Sequence, residues 1–176
     1  SAQLSKPFPE SPEALDIARR RLAFEELFFF AIGLKLLRSR RETVSVEPFQ
    51  PVDMAPFYNA LPFTLTDAQR RCVEEAIADM QSGKPMNRLC QGDVGSGKTM
   101  VAAACVYFCV KNGRQAALMA PTELLAEQHY RGLAPLLERL NIRCALLTGS
   151  TPAKTKRSVT AQLSTGEIDF AIGTHA

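Results

Sequence analysis

Apolar residues along this chain occur in two kinds of run, one long and helix-like, the other short and strand-like. Met100 to Lys111 is an uninterrupted apolar run that Asn112-Gly113 ends, as expected of a helix and its C-terminal cap. Beyond it, short apolar segments at 115–120, 143–148 and 168–173 alternate with longer segments at 122–140 and 152–164. Strands that alternate with helices indicate a parallel sheet covered on both faces. We therefore predict an α/β fold with a three-layer parallel sheet.

The N-terminal part of the chain follows another pattern. Residues 1–10 are polar and contain prolines, which predicts a disordered tail. Ser11-Pro12 is typical of a helix start, and the helix extends to about Arg41. This helix carries Phe24, Phe28, Phe29 and Phe30. So wide an aromatic surface on one helix predicts that the helix docks on another domain.

Bulk composition is typical of a soluble globular protein. The chain has 176 residues, 46% of them hydrophobic, which is enough for one substantial core. A net charge of +3 does not by itself indicate a nucleic-acid partner. The five cysteines are odd in number and lack C-x-x-C spacing, so we expect reduced thiols in a cytoplasmic protein. Charged residues interrupt the apolar stretch Leu22 to Leu37, so we expect no membrane span.

The segment Gly92-Asp93-Val94-Gly95-Ser96-Gly97-Lys98-Thr99 matches the phosphate-binding pattern G-x-x-x-x-G-K-[ST] at every position. Its glycines let successive N–H groups point at phosphates, beside the N-terminus of the next helix. Lys98 is predicted to reach the β- and γ-phosphates, and Thr99 to bind Mg²⁺. The preceding Arg88–Gln91 predicts the buried strand that usually leads into such a loop. A plain glycine-rich turn would explain the glycines but not the Gly-Lys-Thr ending.

Phe63 and Gln69 lie upstream of the loop and are candidates for the nucleotide base. A glutamine amide can pair with both N6 and N7 of adenine, while an aromatic ring can cover the base. The same Thr66-x-x-Gln69 spacing is a capping box for a second helix that runs from Thr66 to about Met80. The residues alone leave both interpretations open.

Small polar residues follow three predicted strands. They are Pro121, Thr122 and Glu123 after the first, Gly149 and Ser150 after the second, and Thr174 and His175 after the third. Such residues can cap helices, and they can also offer N–H and O–H donors to a nucleic-acid backbone. Because the carboxyl ends of parallel strands share one edge of a sheet, we expect these seven residues to form a DNA-binding ledge.

Together these motifs resemble those of superfamily-two helicases: Phe63-x5-Gln69, Gly92–Thr99, Ala120–His129, Thr148-Gly-Ser150 and Gly173-Thr-His175. The match is most similar to the RecG family of bacterial ATP-dependent DNA helicases, which remodel replication forks and branched DNA. The resemblance rests on the segments Met86–Thr99 and Ala117–Tyr130. In addition, Arg21–Phe28 resembles the family's helix that leads from the wedge domain to the motor. The resemblance extends over about residues 14–176.

This resemblance implies an incomplete P-loop, RecA-like sheet with an N-terminal linking helix. Residues 11–62 would be that helix and its connector, and residues 63–176 the first part of an ATP-binding motor domain. ATP, Mg²⁺ and branched or duplex DNA are the implied ligands, and a wedge domain and a second motor domain of the same bacterial protein are implied partners. The Walker B carboxylates and the arginine finger would follow Ala176, so the chain alone is expected to be inactive. The alternatives are a translocase of transcription-repair coupling factor type and a non-motor nucleotide-binding protein.

Overall fold

The structure is a computed structural model that describes residues 11–42 and 45–175 of the chain. The predicted tail, 1–10, lies outside these residues. The chain divides into two compact units, Ser1–Ser45 and Val46–Ala176. The second unit begins at Val46, before the predicted start of the ATP-binding part at Phe63.

A single helix, α1 (Pro12–Glu42), makes up the described part of the first unit. The predicted helix start is confirmed, because the Ser11 hydroxyl accepts a 3.1 Å hydrogen bond from the Ala14 N–H. The Phe24 and Phe28 rings stack with their centroids 5.6 Å apart, and both side chains are largely exposed. Among residues 11–42 and 45–175, no helix is long and apolar enough to cross a lipid bilayer.

The second unit contains five helices and three short strands within its described residues. In chain order they are α2 (Ala55–Ala60), α3 (Asp67–Gln81), α4 (Lys98–Lys111), β1 (Ala116–Met119), α5 (Glu123–Glu138), β2 (Cys144–Leu147), α6 (Ala153–Ser164) and β3 (Phe170–Gly173). The predicted alternation of strands and helices after the glycine loop is confirmed. Sequence reasoning missed α2.

The three strands form a parallel sheet in the order β1-β3-β2. The chain therefore passes from one edge strand, β1, to the other edge strand, β2, through α5. It then returns to the central strand, β3, through α6. Since such crossovers are right-handed in nearly all proteins, opposite directions of travel put α5 and α6 on opposite faces. The expected layered α/β architecture with an incomplete sheet is confirmed.

The core lies between one face of this sheet and the helices α3, α4 and α5. Phe170 and Ile172 of β3 are fully buried, as are Phe108 of α4 and Leu133 of α5. Phe57, on α2, is also fully buried, so residues that precede the glycine loop contribute to the same core. This packing holds α4 beside the sheet.

One predicted strand is wrong. Arg88–Gln91 has no strand assignment, and Leu89 is 86% exposed. A strand forms where the backbone of a neighbouring strand accepts and donates its hydrogen bonds. The apolar pattern of a segment does not show whether such a partner is in position. Leu89 and Cys90 instead line a groove of about 890 Å³ together with Ala116–Leu118 at the free edge of β1. The segment thus lies beside the sheet without joining it.

Candidate nucleotide and nucleic-acid site

The glycine-rich loop leads directly into α4, with Gly97 at the N-cap position. Gly97 has φ +80° and Gly95 has φ +83°, a left-handed conformation that side chains rarely adopt. No side chain caps this helix, so the N–H groups of Lys98 and Thr99 at its start can meet a ligand, while that of Met100 donates to the Gly97 carbonyl at 2.9 Å. An uncapped helix N-terminus preceded by a glycine loop is a good binding site for an anion such as phosphate.

Lys98 lies inside the loop rather than in solvent. Its ammonium Nζ donates hydrogen bonds to the carbonyl oxygens of Gly92 at 2.6 Å and Asp93 at 2.7 Å. These neutral acceptors hold the charge where a phosphate oxygen, a stronger acceptor, could replace them. Thr99 follows on the first turn of α4 and is partly exposed. The loop therefore has the groups expected of a phosphate and Mg²⁺ site.

Gln69 makes the predicted capping box and also contacts the loop. Its Oε1 accepts from the Thr66 N–H at 2.9 Å, and its own N–H donates to Thr66 Oγ1 at 3.3 Å. Its Nε2 donates to the Ser96 carbonyl at 2.8 Å. The structure thus brings Gln69 onto the loop. Each of these atoms keeps one further position, because Nε2 has two hydrogens and Oε1 has two lone pairs. Adenine reading stays a prediction.

Phe63 lies near the start of α3 and is 50% exposed. It lines a cavity of about 470 Å³ with Tyr58, Asn59 and Arg70 among other residues. Neither Gln69 nor the loop lines this cavity. The structure therefore does not join Phe63 to Gln69 in one pocket, and its base-covering role stays a prediction.

The residues that follow the three strands lie together at the carboxyl edge of the sheet. The Ala120 N–H donates to the Gly173 carbonyl at 2.8 Å, which ties the end of β1 to the end of β3. The Thr174 N–H donates to the Leu147 carbonyl at 3.2 Å, which ties β3 to β2. Pro121, Gly149, Ser150 and His175 are exposed. The expected ledge is present as a surface, and its affinity for DNA stays a prediction.

Capping and turn formation account for part of this polar surface. Thr122 is the N-cap of α5, with its hydroxyl accepting from the Leu125 N–H at 3.3 Å. Thr148 is only 4% exposed, and its N–H donates to Thr151 Oγ1 at 3.0 Å. The capping interpretation is confirmed for Thr122, and the DNA-binding interpretation of the same residues stays a prediction.

Glu123 makes a contact that sequence reasoning missed. Its Oε1 accepts a 3.0 Å hydrogen bond from the Ser150 N–H. Hydrogen bonds from the Ser150 side chain and from the backbone at Ser150 and Gly149 hold the pKa of this carboxyl below its usual range. The two residues are 27 positions apart and follow two non-adjacent strands. Sequence periodicity therefore does not predict their contact.

The thiols of Cys105 and Cys144 are partly buried. Burial is the first cause that raises the pKa of Cys105 to about 11 and that of Cys144 to about 12, so both thiols stay protonated at neutral pH. The described parts of the chain hold no group of three His, Cys, Asp or Glu side chains arranged to bind a metal.

Two relatives and one solved structure that are similar to this chain are RecG proteins. The RecG ATP-dependent DNA helicases of Synechocystis sp. and Bacillus subtilis are each 46% identical to 96% of this chain. The chain spans only 21% and 25% of these two relatives. A solved structure of RecG bound to a three-way DNA junction matches with a TM-score of 0.83 and 43% identity, over 96% of this chain and 23% of that one.

The DEAD/DEAH box helicase family model matches residues 66–176. The match begins at the helix cap that holds Gln69 and includes the loop, α4 and all three strand ends. Within this range the structure joins Gln69 to the loop and brings the three strand ends together at one edge of the sheet. The chain therefore belongs to the DEAD/DEAH box helicase family.

Proposed function

We propose that this chain is the ATP-binding part of a RecG-type motor that uses ATP hydrolysis to translocate on duplex DNA and remodel branched DNA in the bacterial cytoplasm. The observation that carries the proposal is the Gln69 amide bound to Ser96 in a complete phosphate-binding loop. A base-reading glutamine joined to a phosphate loop suits an adenine nucleotide. Family membership and the RecG relatives support the motor function.

The residues present fit ATP and Mg²⁺. Gly92 to Gly97 would hold the phosphate chain, with Lys98 contributing charge and the N-terminus of α4 contributing N–H donors. Thr99 has the hydroxyl that ligates Mg²⁺ in such loops. The bound ion neutralises charge on the β- and γ-phosphates. Lys98 already lies within the loop, so it need not be recruited from solvent.

The ledge at the carboxyl edge of the sheet would follow the DNA backbone. Thr122 and Thr174 offer hydroxyl groups, and Lys156 of α6 lies next to the turn, with Nζ 3.4 Å from the Gly149 carbonyl. Phosphate contacts of this kind position a protein on DNA without reading its sequence. A motor that moves along DNA requires sequence-independent contacts.

Hydrolysis needs further groups. The phosphate loop binds and orients ATP, while Walker B carboxylates and an arginine finger stabilise the transition state, the finger alone by about 10³–10⁵-fold in rate. We expect the 176-residue chain alone to bind nucleotide weakly and not to unwind DNA. Of the two motor alternatives, the RecG relatives favour fork remodelling over a coupling-factor translocase.

The test is DNA-stimulated ATP hydrolysis by the full-length gene product and its Lys98→Ala variant. Lys98→Ala removes the loop's ammonium, and we expect turnover to fall by at least about a hundredfold, equivalent to about 2.7 kcal/mol. Lys84→Ala, at an exposed site before the loop, is the matched control and should retain wild-type turnover. Unchanged hydrolysis in Lys98→Ala would reject the motor function.

A further inference from the structure

We propose that Glu123 is a positioning residue that holds the outer two strand-end motifs in register, so that a DNA backbone meets the whole ledge at once. The proposal rests on the proposed DNA-motor function. It assigns Glu123 an action through the Ser150 turn rather than a direct contact with DNA.

Glu123 joins two strand ends that the sheet itself does not connect directly. Thr122 follows β1 and Ser150 follows β2, and these two strands are separated by β3. Strand spacing of about 4.8 Å puts the two outer strands about 9–10 Å apart, too far for a backbone hydrogen bond between them. The Ala120–Gly173 and Thr174–Leu147 bonds tie each outer strand to the central one. Glu123 adds a direct link across the end of β3 through Ser150.

The surroundings of Glu123 favour its ionised form, which accepts hydrogen bonds from the Gly149–Ser150 turn. Glu123 occupies the first position of α5, where the helix dipole stabilises negative charge. Hydrogen bonds from Ser150 and Gly149, together with the charge of Lys156, depress its pKa. The carboxylate is therefore ionised at neutral pH and already accepts hydrogen bonds from the turn.

An ionised carboxylate repels phosphate, which disfavours direct contact of Glu123 with the DNA backbone. Its hydrogen bonds instead fix the turn that begins with the buried Thr148, whose Oγ1 lies 2.9 Å from Ser150 Oγ. Loss of the carboxylate would leave the exposed Gly149–Ser150 turn free to move relative to Thr122. Fewer phosphates would then be contacted together.

A positioning role and simple electrostatics predict opposite effects of Glu123→Gln on DNA affinity. Removing a negative charge from a DNA-binding surface ordinarily strengthens binding. If Glu123 positions the ledge, Glu123→Gln should instead weaken it, because an amide accepts less strongly and its NH₂ faces backbone donors. Glu127→Gln is the matched control on the same helix, since Glu127 pairs with Arg131 at the surface.

The experiment measures binding of the full-length gene product to a fluorescent three-way-junction DNA over a series of salt concentrations. Affinity for a fluorescent ATP analogue and thermal unfolding are measured in parallel. We expect Glu123→Gln to weaken DNA binding by about tenfold and to flatten its salt dependence, with nucleotide affinity and melting temperature unchanged. Glu127→Gln should bind DNA equally or slightly more tightly.

A double-mutant cycle with Ser150→Ala, which removes the hydroxyl bond to Glu123 and keeps the main-chain one, separates positioning from a general loss of structure. If the hydroxyl acts through Glu123, Ser150→Ala should cost less DNA affinity in Glu123→Gln than in the wild type. Unchanged or tighter DNA binding by Glu123→Gln would overturn the positioning role while leaving the motor function intact. Failure of the wild-type protein to bind DNA would overturn both.

Discussion

The side-chain amide of Gln69 donates a 2.8 Å hydrogen bond to the main-chain carbonyl of Ser96, joining the start of α3 to the phosphate-binding loop. The same side chain accepts from the Thr66 N–H, so one residue caps a helix and supports the loop. The second hydrogen of Nε2 and the second lone pair of Oε1 remain for a base. We therefore predict that base recognition and loop conformation are coupled through Gln69.

Gln69→Ala should weaken ATP binding and reduce the preference for ATP over GTP. It removes the base-reading amide, the bond to Ser96 and half of the capping box, which together amount to about 1–3 kcal/mol, or roughly ten- to a hundredfold in affinity. Equilibrium binding of fluorescent ATP and GTP analogues to the full-length gene product measures both effects.

Two variants separate these contributions. Thr66→Ala weakens the helix cap, which costs about 1 kcal/mol of stability, but leaves the Gln69 amide in place. It should therefore keep the ATP preference. Gln128→Ala, at an exposed glutamine of α5, should change neither property. Equal discrimination between ATP and GTP in wild type and Gln69→Ala would contradict the adenine role.

Sequence pattern predicted most of the fold because helix and strand periodicities report on local burial. The helix and strand positions after the loop agree to within a few residues, and Ser11 and Thr66 act as caps as predicted. The failures concern long-range pairing. Arg88–Gln91 has the apolar pattern of a strand but does not pair with the nearby free edge of β1, and α2 is too short at Ala55–Ala60 to show a period.

In the candidate site, too, local features were predicted and long-range contacts were not. The loop was evident from its spacing, because glycines, lysine and threonine must occupy fixed positions there. The contacts of Gln69 with Ser96 and of Glu123 with Ser150 join residues 27 positions apart in each case. Such contacts depend on how separate elements pack, which a single sequence does not encode locally.

Gly173→Ala should destabilise the sheet. A Cβ at Gly173 would lie 2.1 Å from the Leu147 carbonyl oxygen, and both atoms belong to rigid parallel strands. Since the backbone must shift, we expect a loss of about 2–4 kcal/mol in the free energy of unfolding. Urea unfolding of this chain followed by circular dichroism measures the loss.

Gly132→Ala provides the matched control for this prediction. Gly132 is an exposed helix residue of α5, and a Cβ there meets nothing within 4 Å. Alanine should raise stability by about 0.5–1 kcal/mol through better helix propensity. Equal stability of the Gly173→Ala variant and the wild type would show that the sheet edge can relax at no cost.

Asp169 and Arg143 give the protein a specific sensitivity to acid. The guanidinium of Arg143 donates at 2.9 Å and 2.8 Å to the two carboxylate oxygens, and this holds the pKa of Asp169 below its ordinary value. A depressed pKa stabilises the fold fully above the unfolded-state value of about 3.9. That stability is lost as pH falls through the lower, folded-state pKa.

Asp169→Asn should therefore cost stability at pH 7 and much less at about pH 3. Arg143 is about half exposed, so we expect a loss of only about 1–2 kcal/mol at neutral pH. Urea unfolding at both pH values measures the difference. Glu127→Gln, which removes an exposed pair with Arg131, should change stability by less than about 0.5 kcal/mol at either pH. A pH-independent loss in Asp169→Asn would show that the charge of Asp169 contributes nothing.

Gly97→Ala tests whether the loop and Gln69 act as one unit. Gly97 has φ +80°, and a Cβ there would lie 2.3 Å from Gln69 Nε2. Alanine should therefore displace the amide and weaken ATP binding by at least about tenfold, while backbone strain costs about 1–2 kcal/mol of stability. Gly113→Ala shares the strain at φ +72° but meets nothing within 4 Å, so it should lower stability without changing ATP affinity. In a Gln69→Ala background the steric conflict is gone, and Gly97→Ala should then cost much less affinity. An undiminished loss in that background would mean that Gly97 acts on the phosphates independently of Gln69.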